Sequence, residues 1–337
     1  MRIGEIDVVP IASESLGVRS LCTMVSTPDV KLLLDPSAAL AMRGGLEPHP
    51  REYHRLMKTL EQIHEEARQA DVLSVSHYHY DHVRPGFTNF RYNQSSRDEL
   101  QRMFQDKIVF AKDNRENVNP SQRRRGFFFE KDVSGVAEEI RWADGQSYTF
   151  GETTVSHSHP LPHGPIDTDL GYIIATTIEH AESRVLFAPD VQGPVVSDTL
   201  SFILSNNPNA AIIGGPPVYL KRFEDSHRDA ALTSLMELAS RIPLLIVDHH
   251  LMRSKDWRDW LEPVTNAASK AENRLVTVAE TAGLEPHCME SIREDLYSMY
   301  PPSPGFMDWV NATEKYKVRH LPPIGPPDIP DDGALNM

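Results

Sequence analysis

Val72-Leu73-Ser74-Val75-Ser76-His77-Tyr78-His79-Tyr80-Asp81-His82 joins a short apolar run to three imidazoles and a carboxylate set within six residues. An apolar run of that length reads as a buried strand. Side chains at i and i+2 beyond it point to one side, so His77 and His79 share a face, and the turn that follows brings Asp81 and His82 back beside them. One short loop of this kind could serve two metal ions. Imidazole suits zinc, iron and other first-row ions, and the added carboxylate favours a hydrolytic site over a thiolate-rich structural one. Sulfur plays little part, because Cys22 and Cys288 are the only cysteines. The plain alternative is a polar turn with solvent-facing histidines, against which the density of ligand-type side chains weighs.

Further strands are expected at Lys31 to Leu34, Lys107 to Ala111, Thr153 to Ser156, Tyr172 to Thr177, Val185 to Ala188, Ala210 to Ile213, Leu244 to Val247 and Leu275 to Val278. Helical patterns lie between them: Arg51 to Ala70, a segment opening at Ser96-Arg97-Asp98-Glu99, Ser197 to Ser205, Ser226 to Ile242 and Asp256 to Glu272. Strands interleaved with helices predict an α/β layered domain over residues 1–300. Beyond Tyr300, eight prolines in 37 residues predict an extended Pro-rich tail, 301–337, without helix.

With 40% hydrophobic residues among 337, the chain can bury a sizeable core. A formal net charge of -14 argues against a surface coated in basic residues for duplex nucleic acid, while leaving room for a local basic patch. Two distant cysteines and a start without a charged and apolar leader point to a reducing cytoplasm. No apolar run reaches the roughly 20 residues of a membrane span.

Three more places offer ligands beyond strands: His157, His159 and His163; Asp190; and the pair His249 and His250. His77-x-His79-x-Asp81-His82, a later His before Gly, an Asp after a strand and a final His after another strand together resemble the metallo-β-lactamase superfamily over about residues 1–285. More narrowly, Glu14 to Ser20, Leu34-Asp35-Pro36, Ser121 to Arg125, Pro162-His163-Gly164, Asp190 to Pro194, Gly214 to Pro217 and Val247 to His250 look like a mostly archaeal branch of predicted metal-dependent hydrolases, which supplies no substrate. The resemblance implies a four-layer αββα sandwich. It places His77, His79 and His163 on one ion and Asp81, His82 and a histidine of the His249/His250 pair on the other, with Asp190 bridging. His249, nearer the strand end, is favoured slightly over His250. Asp81, His249 and His250 are also expected to take part in catalysis. The chain departs from the branch pattern in Pro189, where Ser is usual, and in the additional His157 and His159.

Two divalent ions, zinc before iron or manganese, would activate a shared water as the nucleophile and stabilise charge on the ester oxygen. His79 favours hydrolysis, since the redox members that the motif resembles carry Glu there. For the substrate, Arg123, Arg124 and Arg125 followed by Phe127-Phe128-Phe129 suggest an anion, a phosphodiester or nucleotide, with single-stranded nucleic acid as a further partner. A solvated basic turn before a buried Phe strand fits the same residues, and Arg19 and Lys112 are weaker candidates for the anion. A lactone, amide or thioester hydrolase, and a regulatory protein that binds metal without catalysis, are the competing readings; a homo-oligomer is compatible with all. Asp35 is a candidate acceptor behind a ligand imidazole. Tyr78 and Tyr80 are expected to pack away from the ligands, and His54, His64, His180, His227, His287 and His320 to lie on the surface.

Overall fold

Val72–Val75 is buried along its whole length and sits inside a sheet, with Lys31–Leu34 on one side and Ile108–Ala111 on the other, all parallel. The computed structural model describes residues 1–166 and 168–325. Among these, two seven-stranded sheets and a small two-stranded ribbon form. The first sheet keeps chain order from Arg2–Ile3 to Glu139–Trp142, antiparallel at its N-terminal edge and parallel from Lys31–Leu34 onward. In the second, Ser183–Ala188, Ala210–Gly214, Leu244–Asp248 and Arg274–Val276 are parallel neighbours, and Thr176–His180, Thr153–His157 and Ser147–Phe150 extend it antiparallel.

The two-residue side-chain period divides these strands between three cores. Leu32, Leu34 and Val72 join Ile178, Phe187, Ile212 and Ile246 between the sheets, while Leu33, Leu73 and Val75 turn to the helices Pro50–Gln69 and Arg97–Phe104. Likewise Ala211, Ile213, Leu245 and Val247 face Asp225–Arg241 and Trp257–Lys270. Burial on both faces is why these strands read as mostly apolar runs. The result is helix, sheet, sheet, helix: the expected four-layer αββα metallo-β-lactamase sandwich.

Several expectations need correction. Tyr172 to Thr177 is not one strand: the chain pairs as Tyr172–Ile173 with Leu161–Pro162, then leaves so that Ile174 N–H can bond Ser76 O at 3.0 Å, and resumes at Thr176–His180. Leu275 to Val278 ends early, because Thr277 caps the short helix Val278–Thr281 in a capping box with Glu280. The region after Tyr300, expected to lack helix, contains the helix Pro304–Asn311, whose Phe306, Trp309 and Val310 are buried in the first core. Its proline sits in the first helical turn behind the N-cap Ser303, where a missing N–H costs nothing. The part of the expected tail at 326–337 lies outside the described residues. His180 is buried rather than exposed, held by Thr153 Oγ1 at 2.9 Å and Glu5 Oε2 at 3.1 Å.

The chain beyond the second sheet is fastened back by Glu290, whose oxygens take Arg19 Nε and Nη2 at 2.6 Å each. Burial pushes the Glu290 carboxyl up, but Arg19 outweighs it and holds the group at about 2, below the ordinary 4.5. Its stabilisation is therefore complete above about pH 4.5 and lost as pH falls from there toward 2. Glu290→Gln is expected to lower the thermal midpoint at pH 7 by the equivalent of about 3 kcal/mol, and the gap should close across that acid window. Melting curves of both proteins between pH 7 and 3 check this; a gap independent of pH would refute it.

Candidate metal centre

Strands of both sheets deliver the candidate residues to one edge. Asp35 follows Lys31–Leu34, His77 follows Val72–Val75, Asp190 follows Ser183–Ala188 and His249 follows Leu244–Asp248. The carboxyl ends of parallel strands are where open α/β sheets place their sites. Asp35, Asp190 and His249 all leave their strands in the left-handed region, at φ +48°, +49° and +67°. Asp and His tolerate that region better than most residues, and such strain gathers at functional sites. Gly214 matters here, since a Cβ on it would stand 2.6 Å from Asp190 N; its absence lets the Asp190 turn lie against the neighbouring strand.

Asp190 is the centre of the arrangement. Its Oδ2 lies 2.7 Å from His163 Nε2, 3.2 Å from His77 Nε2 and 3.8 Å from His79 Nδ1. Its Oδ1 lies 2.9 Å from His249 Nε2, 3.4 Å from His82 Nε2 and 4.0 Å from His250 Nδ1. Asp81 Oδ2 stands 3.8 Å from His249 Nε2 on the second side. All eight ligands expected from the sequence are thus gathered, and overlapping groups of them could each hold an ion. Solvent reaches the cluster past His79 and Asp81, whose side chains keep 21% and 18% exposure; those of His77, His82 and His249 keep none.

The groups behind the ligands fix which ring nitrogen faces inward. Ser76 Oγ gives its single proton to Asp35 Oδ2 at 2.7 Å, so it can only accept from His77 Nδ1 at 2.9 Å, which leaves Nε2 with a lone pair. Asp35 Oδ2 also takes His82 Nδ1 at 2.8 Å, and Glu14 Oε2 takes His249 Nδ1 at 2.8 Å. Asp35 therefore stands behind the His82 imidazole, one of the candidate ligands. His77 Nε2, Asp190 Oδ1 and His250 Nδ1 are buried without a hydrogen-bond partner, although charged or polar atoms crowd them. Atoms this close but misaligned for hydrogen bonds fit a shared cation better than shared protons. The donor set, imidazoles on either side of a carboxylate, suits divalent zinc, iron or manganese.

Electrostatics agree with that fit at His77, His79, His250 and Asp190, whereas at His82 burial is outweighed by Asp190 and Asp35, which raise it well above the usual imidazole value. Burial drives His77 and His250 well below the usual imidazole value and His79 to about 4, so their lone pairs stay available. Burial would raise Asp190, but His82, His249 and His250 hold it far below the usual range, leaving a permanent anion among the rings. For His249, burial is overcome by Glu14 and Asp190, which lift it to about 9.

The remaining expected residues divide. His157 is buried against Phe110 and away from these groups, and burial takes it to about 4; His159 is exposed. Arg123, Arg124 and Arg125 lie on the helix Pro120–Val133, not on a turn before a strand. Arg123 and Arg124 are exposed; Arg125 sits over the Tyr80 ring at 4.5 Å and donates to Tyr78 O at 3.3 Å. Phe127 and Phe128 are exposed and only Phe129 is buried. Tyr78 packs in the core as expected, while Tyr80 faces the rim beside Phe87. Arg19 pairs with Glu290 and Lys112 with Asp144 at 2.6 Å, so neither is available to a substrate anion.

No family model matches the chain. UPF0282 protein MK0213 of Methanopyrus kandleri is 38% identical over 292 residues, 86% of this chain and 98% of that protein. A UPF0282 protein of Metallosphaera sedula is 38% identical over 294 residues, 86% of this chain and 92% of that one. The chain belongs to the UPF0282 family. Among solved structures, the metallo-beta-lactamase fold protein YhfI from Bacillus subtilis is 14% identical, covering 81% of this chain and 95% of that one with a TM-score of 0.46. Yeast PDE1 is 10% identical over 82% of this chain and 98% of that one, with a TM-score of 0.44.

Within this UPF0282 chain the sequence reading missed two residues at the site. Arg253, at the end of the turn His249–Arg253, is buried with Nε 2.7 Å from Glu14 Oε1. Glu14 was visible only as part of a quoted motif. For Arg253 the signal was its place four residues after His249, whose Nε2 its Nη2 approaches at 3.4 Å; for Glu14 there was none.

Proposed function

We propose that the chain is a two-metal hydrolase of an anionic ester, a phosphodiester or nucleotide-type substrate. The observation that carries this reading is the buried Asp190 carboxylate, with one oxygen turned to His77, His79 and His163 and the other to His82, His249 and His250. His77, His79 and His163 would hold one ion, Asp81, His82 and His249 the second, with Asp190 shared between them and His250 beside the second. When bound, two zinc ions would supply an activated water and Lewis-acid stabilisation of the ester oxygen. The protein's own part is to present neutral imidazoles at His77, His79 and His250, to keep Asp190 ionised and to leave the His79 and Asp81 side open to substrate.

The substrate class rests on the rim. Arg124 and Arg125 both bear on Tyr80, next to His79 and Asp81, and Phe127 and Phe128 continue the exposed face of that helix. Guanidinium groups beside exposed rings suit a phosphate attached to a base, in a nucleotide or a single strand. The buried, unpaired thiols of Cys22 and Cys288 support work in a reducing cytoplasm.

A substrate panel tests the reading. Phosphodiesters are expected to turn over, and Arg124→Ala to raise KM by roughly tenfold with metal content unchanged, the loss of one charge-assisted contact. Turnover of lactones or thioesters alone, with Arg124→Ala harmless, would overturn the substrate assignment. Unfolding of His79→Ala, with no activity in the parent protein, would instead favour a structural metal.

A further inference from the structure

Arg253 stands where a second ion would have to compete with it. Its Nη2 lies 3.4 Å from Asp81 Oδ2 and 3.4 Å from His249 Nε2, two of the atoms assigned above to that ion. The guanidinium cannot easily withdraw. It is buried, and its Nε and Nη2 grip Glu14 Oε1 at 2.7 and 2.5 Å. Glu14 is itself fixed by its other oxygen to His249 Nδ1. On the opposite side of Asp190 the rings are backed by neutral groups: Ser76 behind His77 and Gln192, at 3.4 Å, behind His163. The two halves of the centre therefore differ: the second is backed by the Asp35 and Glu14 carboxylates and carries a guanidinium whose Nη2 reaches the ligand atoms themselves.

We propose that Arg253 is a positioning residue that sets the affinity of the second ion site, acting as a fixed competing cation that keeps the ion beside Asp81, His82 and His249 exchangeable. The inference rests on the two-ion reading above. The planar fork of Arg253 holds Glu14 Oε1 with Nε and Nη2 while the same Nη2 reaches the ligand atoms. Its charge also persists at any working pH. Like charges at this separation, beside the buried Arg253 and His249 side chains, repel strongly enough to dominate the hydrogen bond that the same Nη2 offers to Asp81. Arg253 thus holds Asp81 in place while opposing the ion that Asp81 would bind.

The test is calorimetric titration of the metal-stripped full chain with zinc, using a competing chelator to resolve the tighter step. The wild type is expected to take up zinc in two steps. Arg253→Gln should bind the second ion at least tenfold more tightly, with the first step unchanged within about threefold, the range that outer partners of metal ligands command. Arg253→Lys, which keeps the charge, should stay near the wild type. Should metal-stripped Arg253→Gln fail to fold, the variant is purified with zinc bound and release of the second ion to a chelator is followed instead, which should be at least tenfold slower than in the wild type. A second step that is weaker or unchanged without the guanidinium would show Arg253 to be a brace only and overturn the proposal. A wild type that binds no zinc would instead sink the two-ion reading itself.

Discussion

Asp190→Asn will keep its fold and lose its metal. The backbone at this position has φ +49°, and asparagine is among the few residues that accept that conformation readily, so the turn against Gly214 should survive the exchange. What disappears is the negative charge between six imidazoles and the second ligand oxygen, replaced by an amide whose N–H₂ points donors at rings that need a cation. Bound zinc is expected to fall from two ions per chain to fewer than one. Hydrolysis should drop by on the order of 10³-fold, because several kcal/mol of charge stabilisation go with the ions. Elemental analysis and a melting curve on the same preparation check both halves. A variant that retains two ions would remove Asp190 from the centre of the account.

The second large effect concerns Glu14, and it is one of stability. Glu14→Ala leaves the buried Arg253 guanidinium without its partner, and breaking such a pair costs about 3–5 kcal/mol, chiefly as the penalty of an uncompensated buried charge. For a chain of this size that corresponds to roughly 4 to 7 °C in the melting midpoint. The same change frees His249 Nδ1 from its carboxylate, so the ring loses its fixed orientation as well. Measured without metal, the midpoint should fall by that amount, and Glu14→Gln, which keeps an acceptor but not the charge, should lie between. A fall of less than 2 °C would mean that Arg253 finds water or another acceptor.

Much of this was legible in the sequence, for identifiable reasons. Strands buried on both faces leave mostly apolar runs such as Val72–Val75 and Ala210–Gly214, and ligands placed at their carboxyl ends are found by looking just beyond each run. Seven of the eight expected ligands gather around the eighth, Asp190, by that route. What escaped was carried by long-range pairing. Nothing local marks Glu14 and Arg253 as partners 239 residues apart. Nor does proline content distinguish a tail from Pro304–Asn311, whose proline occupies the one turn that tolerates it. Pro120–Val133 was missed because its basic and aromatic residues are mostly exposed and leave only a faint apolar stripe, with Gln122, Gly126, Phe129 and Val133 turned inward.

The central claim is that one buried carboxylate is shared by two metal ions, and anomalous diffraction from crystals grown with zinc tests it most directly. The account predicts two zinc peaks flanking the Asp190 carboxylate, one among His77, His79 and His163 and the other among Asp81, His82 and His249. A single peak that Asp190 does not touch, or no peak beside His77, would contradict it.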